Sequence, residues 1–245
     1  MFLYVLPRGG FGNVMFNFLI GYSLAKKYGL NLLFIKNYHD KREKMESYNI
    51  FKGLNYTNSI VPGVVLIREP SFFHFNIELG EYNYLLDGYF QSYKYSDSYI
   101  PEIREFLKLP KDIRNATALH VRRGDYLALQ NFHPVQSDEY YKKALELTKP
   151  AKLLVFSDDI EFVSNWDLLK IYSYQIIDKD VESSFIIMTQ CENFIISNSS
   201  LSLTAFLLRA NKNAKICLPN RWFGPDGPKY SIDDLVQLNE NVYVL

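Results

Sequence analysis

Residues 118–126, with the sequence ALHVRRGDY, pass from an apolar segment into two adjacent arginines and a glycine turn. The guanidinium group of arginine is permanently charged, and its planar fork of N–H donors matches a pair of phosphate oxygens. Together with His120, Arg122 and Arg123 therefore predict a site for an anion at the end of a buried strand. For the RRGD element taken alone, the alternative is a surface loop with solvated arginines.

The chain on the C-terminal side of this stretch alternates regularly between apolar strands and helical segments. The predicted strands are 116–121, 152–156, 172–177, 193–196 and 215–218, and the predicted helices are 137–147, 161–166, 182–191 and 201–210. Ser137 is the expected N-cap of the first of these helices. Such alternation predicts a parallel, doubly wound sheet, in which ligands bind beyond the carboxyl ends of the strands.

Polar side chains follow three of these strands and are expected to meet at one edge of the sheet. Arg122 follows the first strand, Asp158 the second and Ser199 a later one. A carboxylate such as Asp158 can accept the N1–H and the exocyclic amine of guanine, and its alternative role is a helix N-cap. Asn198, Ser199 and Ser200 offer hydroxyls and backbone N–H groups at a helix start, which suits an oxyanion as well as a cap.

The N-terminal part of the chain begins with a βαβ pattern around a glycine-rich turn. Its parts are a strand at 2–6, the turn RGGFGN at 8–13, a helix at 14–28 that stops at Gly29, and a strand at 30–35. Gly10 and Gly12 allow a ligand to approach the backbone, and the helix N-terminus favours negative charge by about 0.3–1 kcal/mol. The spacing differs from the dinucleotide fingerprint G-x-G-x-x-G, and a tight turn without a ligand is the alternative.

The remaining pattern divides the chain into two domains. Further strands are predicted at 61–68 and 84–90 and a helix at 99–107, while the polar segment 37–58 is expected to be helical or loop-like. Residues 110–112 have the composition of a linker. We therefore expect an N-terminal domain at 1–112 and a C-terminal domain at 113–245, each large enough to hold its own core.

The composition is that of an ordinary globular protein. Of the 245 residues, 48% are hydrophobic and 22% are charged, and 27 Lys and Arg balance 27 Asp and Glu. Without net charge or a basic stripe, there is no reason to expect a nucleic-acid partner. Aromatic residues reach 16%, and such rings fill cores and also line sugar-binding sites.

Cysteine usage and targeting signals predict a cytoplasmic protein. Cys191 and Cys217 are too few for a disulfide framework, and neither has a metal-ligand spacing. Residues 1–8 lack the basic leader and cleavage site of a signal peptide, and no window approaches the roughly 18 apolar residues of a membrane span. We expect contact with a membrane surface to be peripheral at most.

Six segments, in their order and spacing, resemble the bacterial α-1,2-fucosyltransferases of glycosyltransferase family 11. HVRRGDY at 120–126 is specific to this family and its fucosyltransferase relatives. The other segments are GGFGNVMFN at 9–17, GYFQSYKY at 88–95, YY at 140–141, FSDD at 156–159 and IISNSS at 195–200. The resemblance spans nearly the whole chain.

The resemblance implies a GT-B-like fold of two Rossmann-like lobes, with the acceptor side in the N-terminal lobe and the nucleotide-sugar donor in the C-terminal lobe. It implies transfer of L-fucose from GDP-fucose to O2 of a galactoside with inversion, in surface-glycan or O-antigen synthesis. No metal or other cofactor is expected. The expected partners are a GDP-sugar and an oligosaccharide or lipid-linked glycan acceptor.

The resemblance also suggests roles for individual residues. Arg122 would hold the β-phosphate and neutralise charge on the departing GDP, which matters more than a strong base when the transition state resembles an oxocarbenium ion. Asp125 is the candidate base, or else a brace for Arg122. The remaining roles are His120 at the ribose or guanine, Asp158 at the guanine, Asn198, Ser199 and Ser200 at the phosphates, and Asn13 near the diphosphate or the sugar.

The sequence also departs from the family and leaves alternatives open. Residues 201–207 read LSLTAFL where the family has a tryptophan-rich segment, so the donor could be a related GDP-deoxysugar such as GDP-colitose. Asp178 and Asp180 form a D-x-D pair, which would fit a metal-dependent GT-A enzyme. The third alternative is a glycan- or nucleotide-binding protein without catalysis.

Overall fold

The computed structural model describes residues 1–36 and 44–245. Two units make up this part of the chain: Met1–Leu109 with Asp234–Val236, and Pro110–Asp233 with Gln237–Leu245. The sequence placed the division between residues 112 and 113, and it did not anticipate the return of three late residues to the first unit. Residues 37–43 of the segment expected to be helical or loop-like lie outside the described residues.

The first unit contains a parallel sheet of five strands in the order β3-β2-β1-β5-β4. The strands are β1 (Phe2–Val5), β2 (Asn31–Ile35), β3 (Tyr56–Thr57), β4 (Val65–Arg68) and β5 (Tyr84–Asp87). The helices are α1 (Phe11–Tyr28) and α2 (Ile100–Phe106). Most of α1 is buried, and it ends at Gly29, whose φ of 64° is a left-handed conformation that favours glycine.

The second unit contains a parallel sheet of six strands in the order β11-β10-β9-β6-β7-β8. The strands are β6 (Arg114–Val121), β7 (Leu153–Ser157), β8 (Tyr174–Ile176), β9 (Cys191–Ile195), β10 (Ile216–Leu218) and β11 (Val242–Val244). The helices are α3 (Asp138–Thr148), α4 (Ile160–Ser164), α5 (Val181–Thr189) and α6 (Ser200–Leu207), and α7 (Ile232–Leu235) spans the change of unit. From β6 the chain adds strands first on one side (β7 and β8) and then on the other (β9, β10 and β11). This is the strand order of doubly wound Rossmann sheets, and the side on which strands are added changes between β6 and β9.

The core of the second unit fixes the position of β6 and thus of the residues that follow it. Leu119 and Val121 of β6 are buried in one cluster with Tyr140 and Tyr141 of α3. The Tyr141 hydroxyl donates a hydrogen bond of 3.3 Å to the carbonyl of His120. The Ser137 hydroxyl accepts from the Tyr140 N–H, so the predicted N-cap of α3 is confirmed.

Two edge strands and one helix start differ from the sequence-based expectation. β3 and β11 were not predicted, because strands of two or three residues carry too few alternating positions to be recognised. The helix α1 begins at Phe11 rather than Val14, because the second half of the glycine-rich turn is itself helical. None of the helices in the described residues is long and apolar enough to cross a membrane.

Candidate active site in the second unit

The polar residues that follow β6, β7 and β9 lie together at the carboxyl edge of the second sheet. β6 is paired with β7 on one side and with β9 on the other. This edge includes the crevice between β6 and β9, where the winding direction reverses and open α/β sheets bind their ligands. The convergence of Arg122, Asp158 and the segment 198–200 expected from the sequence is therefore confirmed.

Arg122 is held by two carboxylates. Its Nη2 lies 2.6 Å from Asp125 Oδ1, and its Nη1 lies 2.9 Å from Asp158 Oδ2. The guanidinium carbon is also 5.2 Å from the ring centroid of Tyr126. With one third of its side chain exposed, Arg122 is oriented and still open to a ligand.

Arg123 is engaged in local structure. Its Nε donates to Asp159 Oδ2 at 2.9 Å, and its guanidinium stacks on the Phe162 ring at 3.7 Å from the centroid. Asp159 Oδ1 also accepts the Phe162 N–H and caps α4. That backbone hydrogen bond, followed by the one from Arg123, lowers the pKa of the Asp159 carboxyl. The neighbouring arginines thus have different functions, one facing the crevice and the other anchoring α4.

Asp158 joins the loops after β6 and β7. Its Oδ1 accepts the backbone N–H of Arg123 at 2.9 Å, while Oδ2 pairs with Arg122. A Cβ at Gly124 would overlap this carboxylate, so a larger residue there would displace the Asp158 side chain. The alternative role of Asp158 as a helix cap is wrong, because Asp159 caps α4. Each oxygen of Asp158 keeps a lone pair for a further donor.

His120 is buried and neutral at the end of β6. Its Nδ1 lies 2.9 Å from the hydroxyls of Ser197 and Ser202. Burial, followed by the charge of Arg122, lowers its pKa to about 3. Ser202 also donates to the Ser199 carbonyl at 3.3 Å, which leaves Ser197 as the natural donor to Nδ1. We assign the ring proton to Nε2, because the other nitrogen then accepts.

The segment after β9 contributes a buried amide and a helix start. Asn198 Nδ2 donates to the Trp222 carbonyl, and its Oδ1 accepts from Gln136 Nε2 at 2.8 Å. Both functions of this amide are therefore used within the protein. Ser199 is the N-cap residue of α6, but its hydroxyl makes no capping hydrogen bond, and Ser200 is the first helical residue. These two residues present the helix start to the crevice.

Two loops beside Arg122 contact each other, which the sequence did not predict, although loops 71–76 and 126–137 were expected to set the acceptor. We call residues 125–137 and 219–230 the loop pair. The Gly224 N–H donates to the Phe132 carbonyl at 3.0 Å, and a Cβ at Gly224 would overlap the Asn131 carbonyl oxygen. Tyr126 is a buried member of the loop pair; burial raises its pKa to about 12, and its hydroxyl donates to the Asn198 carbonyl. The aromatic residues of WFGPDGPKY at 222–230 were the available signal.

The first unit contains the other predicted site residues. Gly10 is the N-cap of α1, Gly12 and Asn13 lie in its first turn, and Asn13 Oδ1 accepts from Gln91 Nε2 at 2.6 Å. Gln91 follows Phe90, a buried residue with a φ of 51°, and such backbone conformations cost energy outside glycine. Gln91 was missed as a single residue, although its segment was part of the resemblance.

The D-x-D pair lies elsewhere in the second unit. Asp180 is the N-cap of α5 and accepts both the backbone N–H and the hydroxyl of Ser183. Asp178 lines a groove of about 490 Å³ together with residues at the start of β6. Within residues 1–36 and 44–245, no group of three or more His, Cys, Asp or Glu side chains is arranged to hold a metal ion.

Comparison with known sequences decides the family. The sequence profile of glycosyl transferase family 11 matches residues 29–231. The chain belongs to glycosyl transferase family 11. Its sequence is 26% identical to that of the O-antigen biosynthesis glycosyltransferase WbnK of Escherichia coli. The alignment covers 96% of this chain and all of WbnK. The chain is thus a glycosyltransferase of glycan synthesis.

A solved structure supports the fold of this family 11 member. The fucosyltransferase NodZ from Bradyrhizobium superposes with a TM-score of 0.51 and 15% identity, covering 85% of this chain and 94% of NodZ. The similarity of this chain to NodZ, together with the two parallel sheets described above, confirms the predicted GT-B-like fold class.

Proposed function

We propose that this protein transfers L-fucose from GDP-fucose to O2 of a galactoside, with inversion at the anomeric carbon. The observation that carries the proposal is Arg122, which two carboxylates orient at the sheet edge where β6 ends and where α6 begins after β9. A guanidinium fork and a helix N-terminus at one sheet edge suit a nucleoside diphosphate. The choice of fucose as the transferred sugar rests on the resemblance to fucosyltransferases.

The leaving group is the main electrostatic problem of this reaction. As the bond from the anomeric carbon to the diphosphate oxygen breaks, negative charge accumulates on GDP. We assign the neutralisation of that charge to Arg122, and His120 to the ribose or guanine. Donors already held in place stabilise a developing anion without reorganising during the step.

The acceptor side needs only modest assistance. The galactoside O2 forms the new bond to the anomeric carbon, its proton passes to a base, and GDP leaves with the former bonding pair. Asp125 is our candidate base, because it is exposed beside Arg122. Asn13, whose amide is oriented by Gln91, is assigned to the sugar or the diphosphate from the first unit.

The nucleotide base is assigned to Asp158. Its free lone pairs can accept the N1–H and the exocyclic amine of guanine. Ser199 and Ser200 are assigned to the phosphates, together with the helix start and the glycines Gly10 and Gly12. The buried amide of Asn198 orients this segment through Trp222 and Gln136.

The proposal includes a reaction without a divalent metal and an acceptor that is a free or lipid-linked glycan. In place of metal charge, the leaving diphosphate would be neutralised by Arg122. The test is turnover of a panel of GDP- and UDP-sugars with lactose, with and without EDTA, followed by NMR of the product linkage. We expect GDP-fucose to be used, EDTA to have no effect, and an α-1,2 product. Turnover of GDP-colitose alone, or loss of turnover in EDTA, would contradict it.

A further inference from the structure

His133 lies in the loop pair and has no role in the mechanism proposed above. Its ring stacks on Tyr126, with centroids 4.7 Å apart and an angle of 10°, and it is 5.7 Å from the Phe223 ring. Its backbone N–H donates to the Leu129 carbonyl at 2.7 Å. Because Tyr126 is the ring that also contacts Arg122, this imidazole is fixed close to the reacting groups.

The two ring nitrogens of His133 have different surroundings. Nδ1 is buried and has no hydrogen-bond partner, while the side chain as a whole is half-buried, so Nε2 is the nitrogen left to meet a ligand. A buried N–H without an acceptor is costly, so the proton belongs on Nε2 and Nδ1 keeps its lone pair. Burial lowers the pKa of this imidazole, Asp125 raises it and Arg122 lowers it. The side chain is therefore a neutral donor, since charging it would place a second proton on the buried nitrogen.

A neutral donor among aromatic rings suits a particular type of ligand. An anion would gain more from a charged group, whereas a sugar hydroxyl can accept from an uncharged donor, and a sugar ring can pack on an apolar face beside it. The Phe132 ring, which is 40% exposed, packs edge-on against Phe223 and provides such a face. The nucleotide groups already have partners in Arg122, Asp158 and the start of α6.

We propose that the Nε2–H of His133 donates a hydrogen bond to a hydroxyl of the acceptor sugar. The inference rests on the proposed function and adds to it a residue that determines acceptor affinity. His133 acts by binding alone and exchanges no proton with the substrate. The loop pair thereby supplies an acceptor contact in the second unit, whereas the resemblance implied the N-terminal lobe for the acceptor, and the donor stays assigned to the ends of β6 and β7.

Three substitutions separate the donor group from the ring. In His133→Gln, the side-chain amide nitrogen can occupy the position of Nε2. In His133→Asn, the amide nitrogen occupies the position of Nδ1 instead. His133→Phe keeps only the ring that stacks on Tyr126. With GDP-fucose and lactose, we expect the KM for lactose to rise about threefold to tenfold in the Asn and Phe variants and to stay near the wild-type value in the Gln variant. The affinity for GDP, measured by calorimetry, should be unchanged in all three.

The outcomes distinguish this inference from the function on which it rests. An unchanged KM for lactose in the Asn and Phe variants, an equal loss in the Gln variant, or a loss confined to GDP affinity would overturn it. A wild-type protein without turnover would overturn the proposed function instead. Should a variant fail to fold, ¹⁵N NMR of the wild-type imidazoles decides the matter, since the chain has only 4 histidines. An Nδ1-protonated His133, or resonances unmoved by lactose in the GDP complex, would refute the inference.

Discussion

Asp158 Oδ2 lies 2.9 Å from Arg122 Nη1, although the two residues follow different strands. Because Asp125 holds the other terminal nitrogen of the same guanidinium, Arg122 is oriented from both sides before any ligand arrives. A partly exposed ion pair contributes only about 0.2–1 kcal/mol, but two such pairs on one guanidinium restrict its orientation at the crevice. The predictions below test what it does.

Replacing Arg122 should remove most of the catalysis. For Arg122→Ala we expect turnover of GDP-fucose to fall about 100-fold or more, because the charge on the departing GDP is no longer neutralised. Arg122→Lys should recover little, since an ammonium cannot replace the fork that spans two carboxylates. Lys170→Ala, which removes an exposed ion pair with Asp167, is the control. Near-normal turnover of Arg122→Ala would exclude the proposed role.

Replacing Arg123 should affect stability. Arg123→Ala removes the stack on Phe162 and the hydrogen bond to Asp159, and we expect a loss of about 1 kcal/mol in the free energy of unfolding. The ratio kcat/KM of the folded variant should remain within a few fold of the wild type. Urea titration and steady-state kinetics check the two parts. A 100-fold loss of turnover with unchanged stability would show that we assigned the wrong arginine to catalysis.

The adjacent carboxylates Asp158 and Asp159 should separate nucleotide binding from helix capping. Asp158→Asn should weaken GDP binding by about tenfold or more, because it removes a charged acceptor. Asp159→Asn should keep most of the cap of α4 and leave GDP affinity near the wild-type value. Calorimetric titration with GDP measures both. Equal GDP affinities in the two variants would contradict the assignment of guanine to Asp158.

Gln91 and Asn13, both in the first unit of the protein, should act together. Asn13→Ala should lower kcat by about tenfold or more, and Gln91→Ala by less, because it loosens only the orientation of the Asn13 amide. The double variant should be no slower than Asn13→Ala alone, since neighbours that share one interaction are not additive. Kinetics of the three variants complete the cycle. Simple additivity would show that Gln91 does not work through Asn13.

His120 should make stability depend on pH below neutrality. Its pKa falls from 6.5 to about 3 on folding, so below about pH 6.5 the unfolded state binds a proton that the folded state refuses. Stability is then lost as the pH falls towards 3, by at most about 1.4 kcal/mol per pH unit. His120→Asn should remove this component, which urea titrations at pH 4.5, 5.5 and 6.5 would reveal. Identical slopes in both proteins would contradict the burial of a neutral imidazole.

The local chemistry of the chain was readable without the structure. Ser137 caps α3 and Gly29 ends α1 because a cap needs only a short polar side chain or a positive φ at one position. The preference of aspartate for N-cap positions did not show which of two adjacent aspartates caps α4. Asp158 and Asp159 are equivalent by composition, and the loop after β6, which comes within contact of Asp158, decides between them.

The sequence by itself determined the alternation of strands and helices, the sheet edge that holds the site and the family, because these depend on periodic burial and on short motifs. Only the tertiary structure decided which groups are available there. Both functions of the Asn198 amide are used by Trp222 and Gln136, Arg123 rests on Phe162, and Nδ1 of His133 is left without a partner. Each of these facts depends on loops that are distant in sequence and meet only after folding. Long-range contacts of irregular segments leave no periodic trace in the chain.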